Sequence, residues 1–128
     1  MKEGKANPTI LYVEDDGDTR AVLKQLLRRE GYRVIADECE EAALERADDG
    51  NQLDVDLILL DLAQAPDEVM AAGRRIRKQL KTNDVPIVVI AYKYGEDMEG
   101  KNINVEGNEW VTYLEDCEQL QNLLGQLC

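Results

Sequence analysis

The clearest indication of the fold class is the sequence Asp56-Leu57-Ile58-Leu59-Leu60-Asp61. Four apolar residues stand in a row between two aspartates, which is the length of a strand rather than of a helix. A strand without polar alternation is apolar on both faces, and such strands are typical of parallel sheets covered by helices on both sides. The segment therefore predicts a buried central strand that ends at Asp61.

Similar short apolar runs alternate along the chain with segments whose apolar residues have helical spacing. The predicted strands are 9–13, 32–36, 56–61, 86–91 and 110–114, and the predicted helices are 18–30, 40–49, 67–81 and 116–127. Segment 92–109 is rich in Gly and Asn and predicts a loop with at most a short helix. Strands that alternate with helices predict right-handed crossovers and an α/β three-layer sandwich. Residues 1–8 are predicted to be a polar tail and 9–128 a single domain.

The composition excludes several classes of protein. The chain has 128 residues and a formal net charge of -12, so nucleic acid and anionic membranes are poor partners, whereas divalent cations and basic protein surfaces suit it. It contains no histidine, which excludes a triad based on that residue. Three widely spaced cysteines argue against a disulfide framework. With no apolar run long enough for a membrane span and no signal peptide, a cytoplasmic location is expected.

Acidic residues follow two of the predicted strands. The first strand runs into Glu14-Asp15-Asp16, and the third ends at Asp61. Ligands of parallel α/β sheets bind at the carboxyl ends of the strands, so these carboxylates are expected to lie together if the two strands are neighbours. Carboxylates that crowd together need a cation, and oxygen ligands suit Mg²⁺. An aspartate at a strand end is often only a turn residue, but the combination is more specific and allows Asp61 to act as a nucleophile that forms an acyl phosphate.

Three segments resemble the CheY-like receiver domain of two-component response regulators. They are Ile10-Leu11-Tyr12-Val13-Glu14-Asp15-Asp16, Asp56-Leu57-Ile58-Leu59-Leu60-Asp61-Leu62 and Val85-Pro86-Ile87-Val88-Val89-Ile90. The resemblance covers roughly residues 8–127. It implies a flavodoxin-like fold with a five-stranded parallel sheet in the order 2-1-3-4-5 and five helices, the fourth short or irregular. It also implies that Glu14 and Asp15 bind Mg²⁺ with Asp61 and the backbone carbonyl of Ala63, and that Asp61 accepts the phosphoryl group.

The chain departs from the family pattern in its C-terminal third. Ala91 stands where the family usually has Thr or Ser, and no Lys or Arg follows Lys101, although a Lys normally follows the fifth strand. Pro66 comes five residues after Asp61 instead of four. Tyr113 lies where the family often has its switch aromatic. Lys93 is a candidate for a substitute cation.

Two functions of different kinds are compatible with these features. The first is a receiver that takes a phosphoryl group from a sensor histidine kinase or a histidine phosphotransfer protein and signals by binding a downstream protein effector, without being an enzyme. The second is a pseudo-receiver, an interaction module that works without phosphorylation, as Ala91 and the missing Lys suggest. A flavodoxin-like enzyme or nucleotide binder is disfavoured because no Gly-rich phosphate loop follows the first strand. Trp110, at the start of a strand, is expected to be packing rather than an interface anchor.

Overall fold

The fold is an α/β sandwich around one sheet. The computed structural model describes residues 7–48, 54–80, 84–91 and 96–128. Its strands are β1 (Thr9–Glu14), β2 (Arg33–Asp37), β3 (Leu57–Asp61), β4 (Ile87–Ala91), β5 (Asn102–Glu106) and β6 (Glu109–Tyr113). Its helices are α1 (Gly17–Arg29), α2 (Glu40–Ala47), α3 (Pro66–Gln79) and α4 (Cys117–Leu127), with a 3-10 turn at Glu96–Met98. The strand order is β2-β1-β3-β4-β6-β5.

The predicted flavodoxin-like α/β class is confirmed, and so is the predicted order of the parallel strands. β1 lies between β2 and β3, β4 follows β3, and β6 takes the place predicted for the fifth strand. All of these pairs are parallel. The predicted helix and strand ends differ from the observed ones by only one or two residues, which is the usual uncertainty at element ends.

The prediction of five strands and five helices is wrong in the C-terminal third. The described residues form six strands and four α-helices, because Asn102–Glu106 is an antiparallel edge strand paired with β6. Gly107 has a φ of 52°, the left-handed conformation that a two-residue hairpin loop needs. The side chain of Asn104 donates to the carbonyl oxygens of Gly107 (2.8 Å) and Glu109 (3.2 Å). These bonds stabilise a hairpin where the sequence predicted a loop or a short helix.

Two apolar layers cover the sheet. One face packs against α1 and α4, and Trp110 packs there, half-buried, as predicted. The opposite face packs against α2 and α3. α3 lies very close to the sheet at Gly73, where a Cβ atom would come within 2.8 Å of Ile87 Cγ2 and 2.9 Å of Leu60 Cδ1. Only glycine fits there without movement of its neighbours.

A charge cluster also joins α3 to β6. The buried carboxylate of Glu109, the first residue of β6, accepts from Arg74 Nη2 at 2.7 Å and from Arg77 Nη2 at 2.6 Å. The hydrogen bond from Arg74, assisted by Arg77, holds the pKa of Glu109 below its ordinary value. α3 thereby reaches across β4 and fixes the first residue of the hairpin strand.

The three cysteines are free thiols, as expected from their spacing. Across the four described ranges, no helix is long and apolar enough to cross a membrane. The predicted tail lies mostly in residues 1–6, outside the described residues.

Candidate functional site

The predicted acidic residues meet at the carboxyl edge of the sheet. Glu14 and Asp61 are the last residues of β1 and β3 and stand opposite each other in the parallel register. Both side chains are buried, and they share a hydrogen bond. The next residue, Asp15, is exposed, and its Oδ2 accepts from the backbone N–H of Ala63 at 3.0 Å. The structure therefore brings together the three carboxylates that the sequence predicted.

These residues surround one cavity of about 260 Å³. Its lining residues are Glu14, Asp15, Asp16, Thr19, Asp61, Leu62 and Ala63. The predicted ligand set lines this single space, and each of its acidic members carries oxygen donors. The backbone N–H of Ala63 donates to Asp15. The predicted binding of Mg²⁺ by the Ala63 carbonyl stays a prediction.

The buried end of the site is formed by two acidic residues, Glu14 and Asp61. Burial, followed by the hydrogen bond to Asp61, raises the pKa of Glu14 to about 8. Two buried carboxyl groups in contact therefore hold a proton between them in the absence of a cation. A divalent cation can replace that proton and neutralise both groups.

The donor set fits Mg²⁺ in its chemistry. This ion takes oxygen ligands, keeps several waters and needs only one or two carboxylates. In the described part of the chain no three acidic or cysteine side chains already surround a common metal position, and Asp15 is turned to the Ala63 N–H. Binding of Mg²⁺ by Glu14 and Asp61 with water, and by Asp15 after it turns inward, agrees with this arrangement.

The loop between β1 and α1 holds the site in place. Asp16 is the N-cap of α1, and its carboxylate accepts from the backbone N–H of Thr19 at 3.0 Å and from the Thr19 hydroxyl. These hydrogen bonds lower the pKa of Asp16. The guanidinium of Arg20 donates to the carbonyl oxygen of Glu14 at 2.8 Å. All three acidic residues line the cavity, and the Asp16 carboxylate is in addition the N-cap of α1.

A second, apolar cavity of about 320 Å³ also reaches Asp61. It runs between α1 and α4. Its lining residues are Asp18, Thr19, Val22, Leu23, Leu26, Asp61, Ile90, Leu114 and Cys117. Asp61 is thus bordered by an acidic cavity on one side and an apolar one on the other.

The predicted switch residues lie next to each other but outside the acidic cavity. Ala91, the last residue of β4, is buried and stands opposite Tyr113 of β6. Tyr113 is half-buried and packs on the α3 side of the sheet. Their role in switching stays a prediction. Lys93 lies outside the described residues.

Sequence reasoning missed one residue of the site, Tyr12. It is completely buried, and its hydroxyl donates to Glu14 Oε1 at 2.9 Å. The signal was present, because residues two apart in a strand point to the same face. The apolar pattern alone predicts only that Tyr12 is part of a buried strand.

Comparison with known proteins assigns the chain to a family. The family model "Response regulator receiver domain" matches residues 10–124. The chain therefore belongs to the receiver-domain family of two-component response regulators.

Individual relatives give the same assignment. The chain is 31% identical over 87 residues to the transcriptional regulatory protein CpxR of Escherichia coli K12, covering 68% of this chain and 34% of CpxR. It is 30% identical over 104 residues to the phosphate regulon regulator PhoB of Pseudomonas aeruginosa, covering 81% of this chain and 44% of PhoB. The chain thus spans less than half the length of these curated relatives.

A solved structure is similar over nearly the whole chain. It is the response regulator TrrA of Thermotoga maritima in complex with Mg²⁺ and BeF, with a TM-score of 0.67 and 26% identity. The match covers 94% of this chain and 99% of TrrA. The fold of the chain is therefore that of a receiver domain in spite of its different C-terminal third.

Proposed function

We propose that this chain accepts a phosphoryl group on Asp61 in the presence of Mg²⁺. The donor is the phosphohistidine of a sensor histidine kinase or a histidine phosphotransfer protein, since the chain has no histidine of its own. The chain then signals by binding a downstream protein, as a cytoplasmic signalling module rather than an enzyme. The observation that carries the proposal is the contact between Asp61 and Glu14 at adjoining strand ends, beside Asp15 and one shared cavity.

The transfer step follows from the position of Asp61. A carboxylate oxygen of Asp61 attacks phosphorus, an O–P bond forms, and the P–N bond to the donor imidazole breaks, with the electron pair returning to nitrogen. Glu14 and Asp15 would hold Mg²⁺ together with Asp61, and the ion would supply positive charge that offsets the charge of the phosphoryl group. The hydrogen bonds around Asp16 keep these groups in place.

Phosphoramidate tests the proposal without a kinase. The protein is incubated with phosphoramidate and Mg²⁺, and the intact mass is measured; we expect a gain of one phosphoryl group, which EDTA abolishes. Asp61→Asn should gain nothing. Asp84 is an exposed aspartate before β4, at the opposite edge of the sheet. Asp84→Asn is therefore the matched control and should be labelled like the wild type. No gain in the wild-type protein, under conditions that label an ordinary receiver, contradicts the proposal.

A second candidate is a pseudo-receiver that binds partners without phosphorylation. Ala91 favours it, because a buried methyl group at the end of β4 cannot bind a phosphoryl oxygen. NMR spectra of the protein with and without phosphoramidate separate the two. Amide shifts in β4 and β6 upon phosphorylation support the receiver, whereas labelled protein with unchanged shifts there supports the pseudo-receiver.

A further inference from the structure

The hydroxyl of Tyr12 contacts the metal-binding edge from inside the core. Tyr12 is fully buried in the middle of β1, and the hydroxyl donates to Glu14 Oε1 at 2.9 Å. The other oxygen of that carboxylate, Oε2, accepts from the backbone N–H of Asp16 at 3.1 Å. Both oxygens of Glu14 are therefore fixed by a hydrogen bond, one from the core and one from the loop.

Packing alone does not require the hydroxyl of Tyr12. Its ring belongs to the apolar layer under α1 and α4, beside Ile10 and Leu59. The neighbouring β2 residue in register is Ala36, whose small side chain leaves room for a large ring. A phenylalanine would fill the same space, whereas a buried hydroxyl costs free energy unless it is hydrogen-bonded.

The hydrogen bond selects one orientation of Glu14. This side chain has three rotatable bonds, and it lies beside the carboxyl group of Asp61, which disfavours two negative charges together. The Tyr12 hydroxyl is a donor only to an oxygen on its own side of the strand, so it favours the rotamer in which the carboxylate stays at the cavity. Groups that orient metal ligands in this way commonly change metal affinity by ten- to a hundredfold.

We propose that Tyr12 is a positioning residue for the Mg²⁺ site: the hydroxyl of Tyr12 orients the Glu14 carboxylate. The inference rests on the proposed function, because it requires Glu14 to be a ligand of that ion. Tyr12 itself touches neither the ion nor the phosphoryl group. Its effect is therefore on the Mg²⁺ concentration that the site needs, and not on the chemistry of the loaded site.

The test compares Tyr12→Phe with the wild-type chain and with Tyr32→Phe. Tyr32 is a half-buried tyrosine that packs on the same apolar layer, so it controls for loss of a hydroxyl. Mg²⁺ binding is measured by calorimetry, and phosphorylation by phosphoramidate is followed over a range of Mg²⁺ concentrations. For Tyr12→Phe we expect about a tenfold weaker Mg²⁺ affinity and a half-saturating Mg²⁺ concentration raised by the same factor. The rate at saturating Mg²⁺ should stay within about twofold of the wild type, and Tyr32→Phe should match the wild type in all three.

The Mg²⁺ affinities of Tyr12→Phe and of the wild type separate this inference from the proposed function. If Tyr12→Phe binds Mg²⁺ as the wild type does, whatever its stability to urea, the hydroxyl is structural only and the inference is overturned while the proposed function stands. If the wild type neither binds Mg²⁺ nor takes up the phosphoryl group, both fall. If urea denaturation shows that Tyr12→Phe is not folded, 4-fluorophenylalanine at position 12, which keeps the ring and fills the space of the hydroxyl but cannot donate, takes its place and must weaken Mg²⁺ binding to the same degree.

Discussion

Two buried glutamates lie at opposite edges of the sheet and have opposite surroundings. Glu14, at the carboxyl edge, faces a second carboxyl group, Asp61, and its pKa is raised to about 8. Glu109, at the amino edge of β6, faces two guanidinium groups, and its pKa is lowered by them. Burial raises the pKa of Glu14 most and Asp61 adds to that effect, whereas at Glu109 the hydrogen bonds from the guanidinium groups outweigh burial. At the carboxyl edge two carboxyl groups face each other, whereas at the amino edge two guanidinium groups of the same chain balance the charge of Glu109.

Replacement of Glu109 by Gln has the largest expected effect on stability. The change removes the buried carboxylate that Arg74 and Arg77 share, and because Arg74 is partly exposed to solvent we expect a loss of about 1–3 kcal/mol in the free energy of unfolding, between the values for buried and for surface pairs. Urea denaturation measures it. Glu40→Gln is the matched control, because Glu40 pairs with Arg75 of the same helix at the surface and should cost less than about 1 kcal/mol. Equal losses of stability in Glu109→Gln and Glu40→Gln would show that burial of Glu109 does not increase the contribution of its ion pairs.

The contribution of Glu109 should disappear at low pH. Its pKa in the folded protein lies below the ordinary value, so the stabilisation is fully present above pH ~4.5 and is lost as the pH falls through the lower folded-state value. The difference between the wild type and Glu109→Gln should therefore shrink from pH 6 to pH 3. A difference that stays constant over this range would mean that packing, and not charge, causes the effect. Urea titrations at pH 6, 4 and 3 measure it.

The acidic edge and the hairpin that contains Glu109 differ in how far the sequence predicts them. The acidic edge was predicted residue by residue, because Glu14, Asp15 and Asp61 directly follow apolar strands and parallel strands align their ends. The hairpin was not, since β5 is exposed along its whole length and carries no buried apolar pattern to detect. Its stability comes from contacts between distant residues, such as the Glu109 cluster, and from turn bonds of Asn104. The local signal was the dipeptide Gly107-Asn108, which is typical of hairpin turns, in a segment with two other glycines.

Glu14→Gln should change the free energy of unfolding in the opposite direction to Glu109→Gln. In metal-free protein Glu14→Gln removes one of two carboxyl groups in contact, and its amide can donate to Asp61. We expect a gain of about 1–2 kcal/mol in the free energy of unfolding at neutral pH, together with weaker Mg²⁺ binding. Urea denaturation in EDTA, followed by titration with Mg²⁺, measures both. A loss of stability in EDTA would mean that Glu14 is held mainly by its favourable bonds to Tyr12 and Asp16.

The smallest expected effect concerns α3, the helix that connects the two edges. Gly73→Ala places a methyl group within 3 Å of Leu60 and Ile87, and such overpacking costs about 1–3 kcal/mol. The better helix propensity of alanine returns up to about 1 kcal/mol, so we expect a net loss of about 1 kcal/mol.

Gly125, in α4, is the matched control for this change. It is exposed and has no atom within 4 Å of the added carbon, so Gly125→Ala should stabilise the protein by about 0.5–1 kcal/mol. Opposite signs for the two variants in urea denaturation would establish that close contact, not helix propensity, requires Gly73. Leu60 directly precedes Asp61 in β3, so we expect a shift of the Leu60 side chain in Gly73→Ala to reach the end of that strand. A measured Mg²⁺ affinity equal to that of the wild type would show that the acidic edge is independent of the helix packing beneath it.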